Sequence, residues 1–315
     1  DEQLRWPYFL KKEPLDLLHV PHFNAPIWYR TPLLVTIHDL TLHYFPDKHY
    51  EPRFSFKKLV QIAAYRFLFT QAVGSATHII TVSNHTKHDL LLQYSASEKK
   101  ISTIYEGVPD EFQRPSEEVI QDIKKKFGIV LPYFSYSGSF RSHKNLLRLF
   151  QAFGKIEDCQ LVIIGKKDQQ YPEIFSEIDR LGIGDRVVMT DYISDSELMA
   201  LVSGSLAFVF PSLYEGFGLP PLEAMQLGVP VLASQTASIP EVCGTAALYF
   251  DPKSILELEK AMKRIISDDA IRHDLVEKGL QNVKKYSFRT MTQQTIDIYD
   301  MVCNNTNPSN KPLQA

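Results

Sequence analysis

Apolar positions along the chain follow two patterns. Short runs of β-branched and aliphatic residues alternate with longer stretches in which apolar residues recur at helical spacing. The short runs predict buried strands, because a strand covered on both faces needs no polar side. In the first part of the chain they are "LDLLHV" (15–20), "LLVTIH" (33–38), "HIITV" (78–82) and "KISTIY" (100–105). Helical patterns lie between them at 53–73 and 84–94. A charged helical stretch, "SEEVIQDIKKKFG", then ends at Gly128 and runs into "IVLP", which reads as a domain junction. Beyond it the alternation restarts, with strands at 133–138, 159–165, 186–190, 206–210, 230–234 and 247–250. Helices fall near 144–156, 171–181, 195–202, 219–227 and 238–242, and three more follow at roughly 254–267, 269–284 and 288–303. Strands alternating with helices predict parallel sheets covered on both faces. The expected fold class is α/β, with two doubly wound Rossmann-like domains facing a cleft. Their bounds are 1–131 and 132–285, helix 286–303 packs back on the first domain, and 304–315 is a disordered polar tail.

The length of 315 residues agrees with two domains, and a hydrophobic content of 44% with 23% charged residues allows a large core. The net charge of −3 gives no bulk attraction for nucleic acid, so no nucleic-acid partner is expected and any anion site must be local. Cys159, Cys243 and Cys303 are far apart and lack metal spacing, which fits a reducing compartment. No apolar run reaches the roughly 18 residues of a membrane span, and no signal peptide is visible. The expectation is a cytoplasmic protein. The helix over 53–69 carries Arg53, Lys57, Lys58 and Arg66, with no acid among them. Such a helix fits peripheral contact with an anionic membrane face, but a helix packed on its sheet with its charges in water is the stronger reading.

Candidate chemistry begins after the strand "YFSYSG". Gly138 ends it and can adopt backbone angles other residues resist. Arg141 and Lys144 follow at the mouth of the next helix, with Asn145 as its expected start residue. Two cations beside exposed backbone N–H groups suit a diphosphate. The stretch also fits a solvated turn, and alone it does not separate the two. A second stretch, "SLYEGFGLPPLEAMQLG" (212–228), places Glu215, Gly216, Phe217 and Gly218 before a helix that starts at Leu219. Pro220 and Pro221 are tolerated in a first helical turn, and the helix N-terminus would add positive potential at the strand ends. Glycines allow close approach of a ligand, and a carboxylate beside them can accept bonds from sugar hydroxyls. For Glu223, compensation of the helix dipole is the competing reading.

With these residues in place, "EGFGLPPLEAMQLGVPVLAS" resembles the signature of glycosyltransferase family 4, retaining enzymes of the GT-B fold. Glu215 and Glu223 match its paired glutamates, "GSFRSHKNL" its basic motif, and "IPEVCGTAALYFDP" and "KKYSFRTMTQQTIDIY" the stretches that follow. "LLVTIHDLTLHYFP", "ITVSNHTKHDL" and "IYEGVP" match in the first domain. The resemblance implies that Arg141 and Lys144 bind the donor's diphosphate and that Glu223 bonds the nucleoside ribose. Glu215 and the backbone of Phe217, Gly218 and Leu219 would hold the transferred sugar. His38 would face that sugar from the first domain, unless it is a hydrogen-bonded histidine closing a strand. Asp39 would fix a loop, and Glu241 is expected to be structural.

The implied reaction is retaining transfer of a sugar, with mannose from GDP-mannose as the first expectation, to a hydroxyl of a glycan or lipid-linked acceptor in polysaccharide or lipopolysaccharide biosynthesis. The chain has no Asp-x-Asp spacing for a divalent cation. No metal and no cofactor is therefore expected, and Arg141, Lys144 and a helix N-terminus would supply the charge instead. Relatives in this family open with a strand, a glycine-rich loop and a long helix that are not seen before "LDLLHV", so the first domain is expected to be short. A non-catalytic nucleotide-sugar-binding protein or subunit is the alternative. A GT-B phosphorylase or epimerase is disfavoured by the signature.

Overall fold

A computed structural model describes residues 5–10, 15–26, 32–45 and 56–306. The chain forms two compact units, Asp1–Gly107 with Phe288–Ala315, and Val108–Ser287. The division therefore falls at Gly107/Val108 rather than near residue 131.

The first unit contains α1 (Arg5–Leu10), β1 (Leu18–Val20), β2 (Leu33–Ile37), α2 (Thr41–Tyr44), α3 (Phe56–Ser75), β3 (His78–Thr81), α4 (Asn84–Tyr94) and β4 (Ile101–Thr103). The four strands form a parallel sheet in chain order, β1-β2-β3-β4. β2 and β3 are buried at every position, as their continuous apolar runs predict. Ser83 accepts a hydrogen bond from the Thr86 N–H and starts α4. The two short helices α1 and α2 were not expected, because neither is long enough to show a helical period. Arg53 and the side chains of Lys57 and Lys58 lie outside the described residues.

The second unit contains α5 (Glu117–Lys126), β5 (Tyr133–Ser137), α6 (Leu146–Phe153), β6 (Gln160–Ile164), α7 (Pro172–Leu181), β7 (Val187–Met189), α8 (Asp195–Ser203), β8 (Ala207–Phe210), α9 (Leu219–Gln226), β9 (Val231–Ser234), α10 (Ile239–Cys243), β10 (Ala247–Phe250), α11 (Ile255–Ser267) and α12 (Asp269–Asn282). Its six strands are all parallel and lie in the order β10-β9-β8-β5-β6-β7. Phe134, Leu161, Ile163, Val209 and Leu232 of the strands bury their side chains against Leu149, Phe150 and Phe153 of α6 and Leu258, Met262 and Ile265 of α11. Each such side chain contributes about 1.5–3 kcal/mol relative to exposure. Ser or Asp caps start α5, α8, α11 and α12, and at α8 Ser194 and Glu197 form a reciprocal capping box.

The charged stretch read as a junction is α5. Its Ile120 is 1% exposed, and a Cβ on Gly204 would stand 2.8 Å from the Ile120 side chain and 2.6 Å from the Tyr133 hydroxyl. One apolar anchor in a charged helix thus ties it to the second unit.

The last helix, α13 (Phe288–Thr306), returns to the first unit. Its Met291, Ile298 and Tyr299 pack on Leu34, Ile80 and Ile104. It runs through Thr306, so the first three residues of the expected tail are helical, and 307–315 lie outside the described residues.

Candidate active site

The order of the second sheet positions the site. β5 and β8 are neighbours, but the chain leaves β5 toward β6 and β8 toward β9, in opposite directions along the sheet. The loops that follow these strands diverge, and in open parallel sheets such a switch point leaves a crevice at the strands' carboxyl ends. The basic stretch follows β5, and the glutamate–glycine bend follows β8.

Gly138 has φ 151°, and a Cβ there would lie 2.8 Å from the Tyr136 hydroxyl. Gly165, at the end of β6, would bring a Cβ to 2.3 Å from the Gly138 carbonyl oxygen. Gly165 needs glycine because backbone passes backbone there, and Gly138 because of its positive φ and the Tyr136 ring beside it. Burial, with the Glu215 charge adding to it, pushes the Tyr136 hydroxyl well above its ordinary range, and that hydroxyl donates to the Ser139 carbonyl at 2.8 Å.

Ser142–Lys144 form one 3₁₀ turn, with Arg141 exposed just before it. Lys144 Nζ donates to Glu215 Oε1 at 2.7 Å and lies 5.7 Å from the centre of the Phe210 ring. The two side chains are only 18% and 14% exposed. The pair joins the two diverging loops, so the basic stretch and the Gly-Phe-Gly bend share one site.

Asn145 precedes α6, but its side chain does not cap that helix. At φ 62° it turns inward, and Nδ2 donates to the carbonyls of Pro211, at 2.9 Å, and Pro252, at 2.8 Å. Arg148 donates to its Oδ1 at 2.9 Å. The Leu213 N–H also donates to the His143 carbonyl, at 2.7 Å. Asn145 therefore fastens the lysine turn to the loop after β8, a positioning role that the capping reading missed.

The bend itself is held from beneath. The buried Ser238 hydroxyl lies 3.0 Å from the Glu215 carbonyl and 2.8 Å from the Phe217 carbonyl, sharing one proton between them. Gly216 is buried, and the Phe217 ring packs edge-on against Tyr286 with centroids 5.6 Å apart. The bend thus offers a ligand its backbone, not the phenyl ring. Gly218 takes φ 108° and opens α9 at Leu219. Pro220 and Pro221 stand in the first turn, as expected, and have no N–H. Of the helix's unpaired N-terminal donors, those of Gly218 and Leu219 remain.

Glu223 is half-buried on α9, and among the described residues no donor lies within hydrogen-bond distance of its carboxyl. Burial, with Asp195 adding repulsion, pushes it up to about 7. Desolvation without a partner is the cause.

His38 sits in the first unit, just after β2. Its Nδ1 lies 2.8 Å from Glu106 Oε1, and its Nε2 donates to the Pro21 carbonyl at 3.2 Å. The Glu106 hydrogen bond raises its pKa against the opposing effect of burial, so the imidazolium with both nitrogens donating is favoured. His19 beside it is lowered by burial and by the His38 charge. Asp39 Oδ1 accepts from the Thr41 N–H at 2.7 Å and fixes the loop. Glu106 and Ser238 were not singled out in the sequence. The signals were present, an acid directly after a strand in "IYEGVP" and a serine before "IPEV". Among the described residues, no group of three His, Cys, Asp or Glu side chains is placed to hold a metal ion.

Comparison with known proteins fits this geometry. The profile of "Glycosyl transferases group 1" matches residues 119–282, more than half the chain, and that of "Glycosyltransferase Family 4" matches residues 2–112. The chain is a family 4 glycosyltransferase. This glycosyltransferase is 27% identical over 293 residues to O-antigen chain mannosyltransferase B of Escherichia coli, covering 91% of this chain and 74% of that one. It is 28% identical over 260 residues to the O-antigen chain mannosyltransferase RfbU of Salmonella typhimurium, covering 82% and 67%. Among solved structures, sucrose-phosphate synthase of Thermosynechococcus elongatus superposes with a TM-score of 0.78 at 21% identity, covering 94% of this chain and 76% of that one. HepE of Anabaena, solved in complex with UDP and glucose, gives 0.77 at 18%, covering 93% and 80%. The fold of the glycosyltransferase is GT-B, with one parallel sheet in each of its two α/β units.

Proposed function

We propose that this glycosyltransferase moves mannose from a nucleoside diphosphate, GDP-mannose in the first instance, to a hydroxyl of a glycan or lipid-linked acceptor, retaining the anomeric configuration without a metal. The observation that carries the reading is the meeting of Lys144 and Glu215 at the switch point of the second sheet. The mannosyltransferase relatives support the choice of sugar.

Breaking the bond between sugar and diphosphate builds negative charge on the leaving oxygens and positive charge at the anomeric carbon. Fixed positive charge at the leaving group is the largest available effect. Arg141, Lys144 and the N–H groups of Gly218 and Leu219 supply it. Glu215 holds sugar hydroxyls, Glu223 the ribose, and His38 serves the transfer from the first unit. The acceptor hydroxyl attacks from the leaving group's own face and gives its proton to the departing phosphate.

The test is a product assay by mass spectrometry, with GDP-, UDP- and ADP-sugars, with and without excess EDTA. A mannosylated product from GDP-mannose, undiminished by EDTA, is expected. Product from UDP- or ADP-sugars alone overturns the donor, and activity lost in EDTA but restored by Mg²⁺ or Mn²⁺ overturns metal independence.

The reading extends to an anionic membrane surface touched through 53–69. Leu59, Val60 and Phe67 of α3 are each at least half exposed, which supports an apolar face on that basic helix. In co-sedimentation with anionic vesicles, Leu59→Glu with Phe67→Glu is expected to reduce binding severalfold, and unchanged binding removes the contact.

A further inference from the structure

The Lys144–Glu215 pair sets two assigned tasks against each other. The ammonium placed to receive a diphosphate is already the partner of the carboxylate placed to hold sugar hydroxyls, at 2.7 Å. Both side chains are more than four-fifths buried, so solvent and salt screen their interaction little. A diphosphate that takes Lys144 takes it from Glu215. Ser238 holds the carbonyls of Glu215 and Phe217, so the backbone that carries the carboxylate is fixed, and at 14% exposure the side chain has little solvent to turn into. Its carboxylate stays beside the arriving negative charge.

From this geometry we infer that Glu215 makes the site discriminate the sugar-loaded donor from the spent nucleoside diphosphate, through exchange of the partner of Lys144. The inference rests on the donor-site reading above. A loaded donor brings hydroxyls that donate to the Glu215 carboxylate and replace the lost ammonium. A bare nucleoside diphosphate brings no such donors, and it leaves a buried carboxylate without compensation next to like charge. Transfer removes the hydroxyls together with the sugar. Glu215 then competes again for Lys144 and speeds release of the spent nucleotide. The acid thus selects substrate over product, in addition to contacting the sugar.

The test is isothermal titration of GDP and GDP-mannose, and of UDP and UDP-glucose, into the full chain and into Glu215→Gln, Lys144→Gln and the double variant. Glu215→Gln is expected to bind the free nucleoside diphosphate tighter by on the order of tenfold and the sugar nucleotide weaker by a similar factor. Lys144→Gln weakens both ligands, and adding Glu215→Gln to it no longer tightens the free diphosphate. Glu215→Asp, which keeps the charge but shortens its reach, gives intermediate values and stands in if the glutamine variant does not fold. If Glu215→Gln or Glu215→Asp leaves the ratio of the two affinities unchanged, the exchange is overturned and Glu215 is a brace. If the unaltered chain binds neither loaded nor free nucleotide, the donor-site reading itself falls.

Discussion

Each unit pairs a base with an acid at the carboxyl ends of its parallel strands, and the two pairs are built differently. In the second unit, Lys144 and Glu215 come from loops after neighbouring strands whose chain paths diverge. Both are mostly buried, and their loops are fastened by Asn145 and Ser238. In the first unit, His38 and Glu106 follow β2 and β4, with β3 between them, in a sheet whose strands keep chain order. There the side chains are 44% and 20% exposed. A reversal of strand order supplies a sheltered crevice, and a sheet without one leaves its pair nearer to water. Electrostatic effects should accordingly be larger in the second unit.

The greatest effect is expected at Lys144. Lys144→Ala should lower turnover by on the order of 10²–10³, the usual loss for a group that stabilises developing charge. Steady-state kinetics on a variant with an unchanged unfolding midpoint would measure it, and near-normal turnover would end the comparison at once.

Next comes Glu223. Its folded value of about 7 lies above the ordinary 4.5, so between these values the folded chain holds a proton that the unfolded chain has lost. Stability therefore falls as pH rises through this window, and the cost is complete above it. Glu223→Gln removes the titration. Relative to the unaltered chain it should gain roughly 1–3 kcal/mol between about pH 5 and pH 8. Denaturant unfolding at the two pH values tests this, and a pH-independent difference contradicts it.

The smallest effect belongs to the exposed pair. The folded pKa of His38 is raised, chiefly by Glu106, so the pair's contribution is present at low pH and fades as pH rises through that folded value. In an NMR titration of the His38 ring, Glu106→Gln should shift the midpoint downward. It should lower the unfolding midpoint more at about pH 6 than at about pH 9. An unchanged midpoint would mean that Glu106 does not govern this histidine.

The ten strands among the described residues could be read along the chain because most are compact apolar runs such as "LAFVF" or "LVIIG". Buried parallel strands advertise themselves this way. Their lateral order could not be read, since hydrophobic pattern says which face is buried and nothing about which strand lies alongside. The switch point between β5 and β8 stayed hidden for that reason. The paired glutamates and the basic motif were visible as residue types at fixed spacing, yet the bond between Lys144 and Glu215 joins positions 71 residues apart. Asn145 was read as a local cap because asparagine commonly starts helices. Its acceptors, the carbonyls of Pro211 and Pro252, are 66 and 107 residues away, beyond the reach of any local rule. The boundary near 131 was misplaced because α5 reads as charged linker, and its one deeply buried residue, Ile120, leaves too faint a pattern.

The path of the chain has a practical consequence. Val108 and Ser287, the first and last residues of the second unit, face each other across a parallel bridge, and the Val108 N–H donates to the Tyr286 carbonyl at 3.1 Å. That unit is one uninterrupted segment whose ends meet, whereas the first is assembled from two separate stretches of polypeptide. Topologically the second unit is an insert, suited to excision, transplantation or circular permutation at its touching ends. The first unit could be produced alone only by splicing its two stretches together.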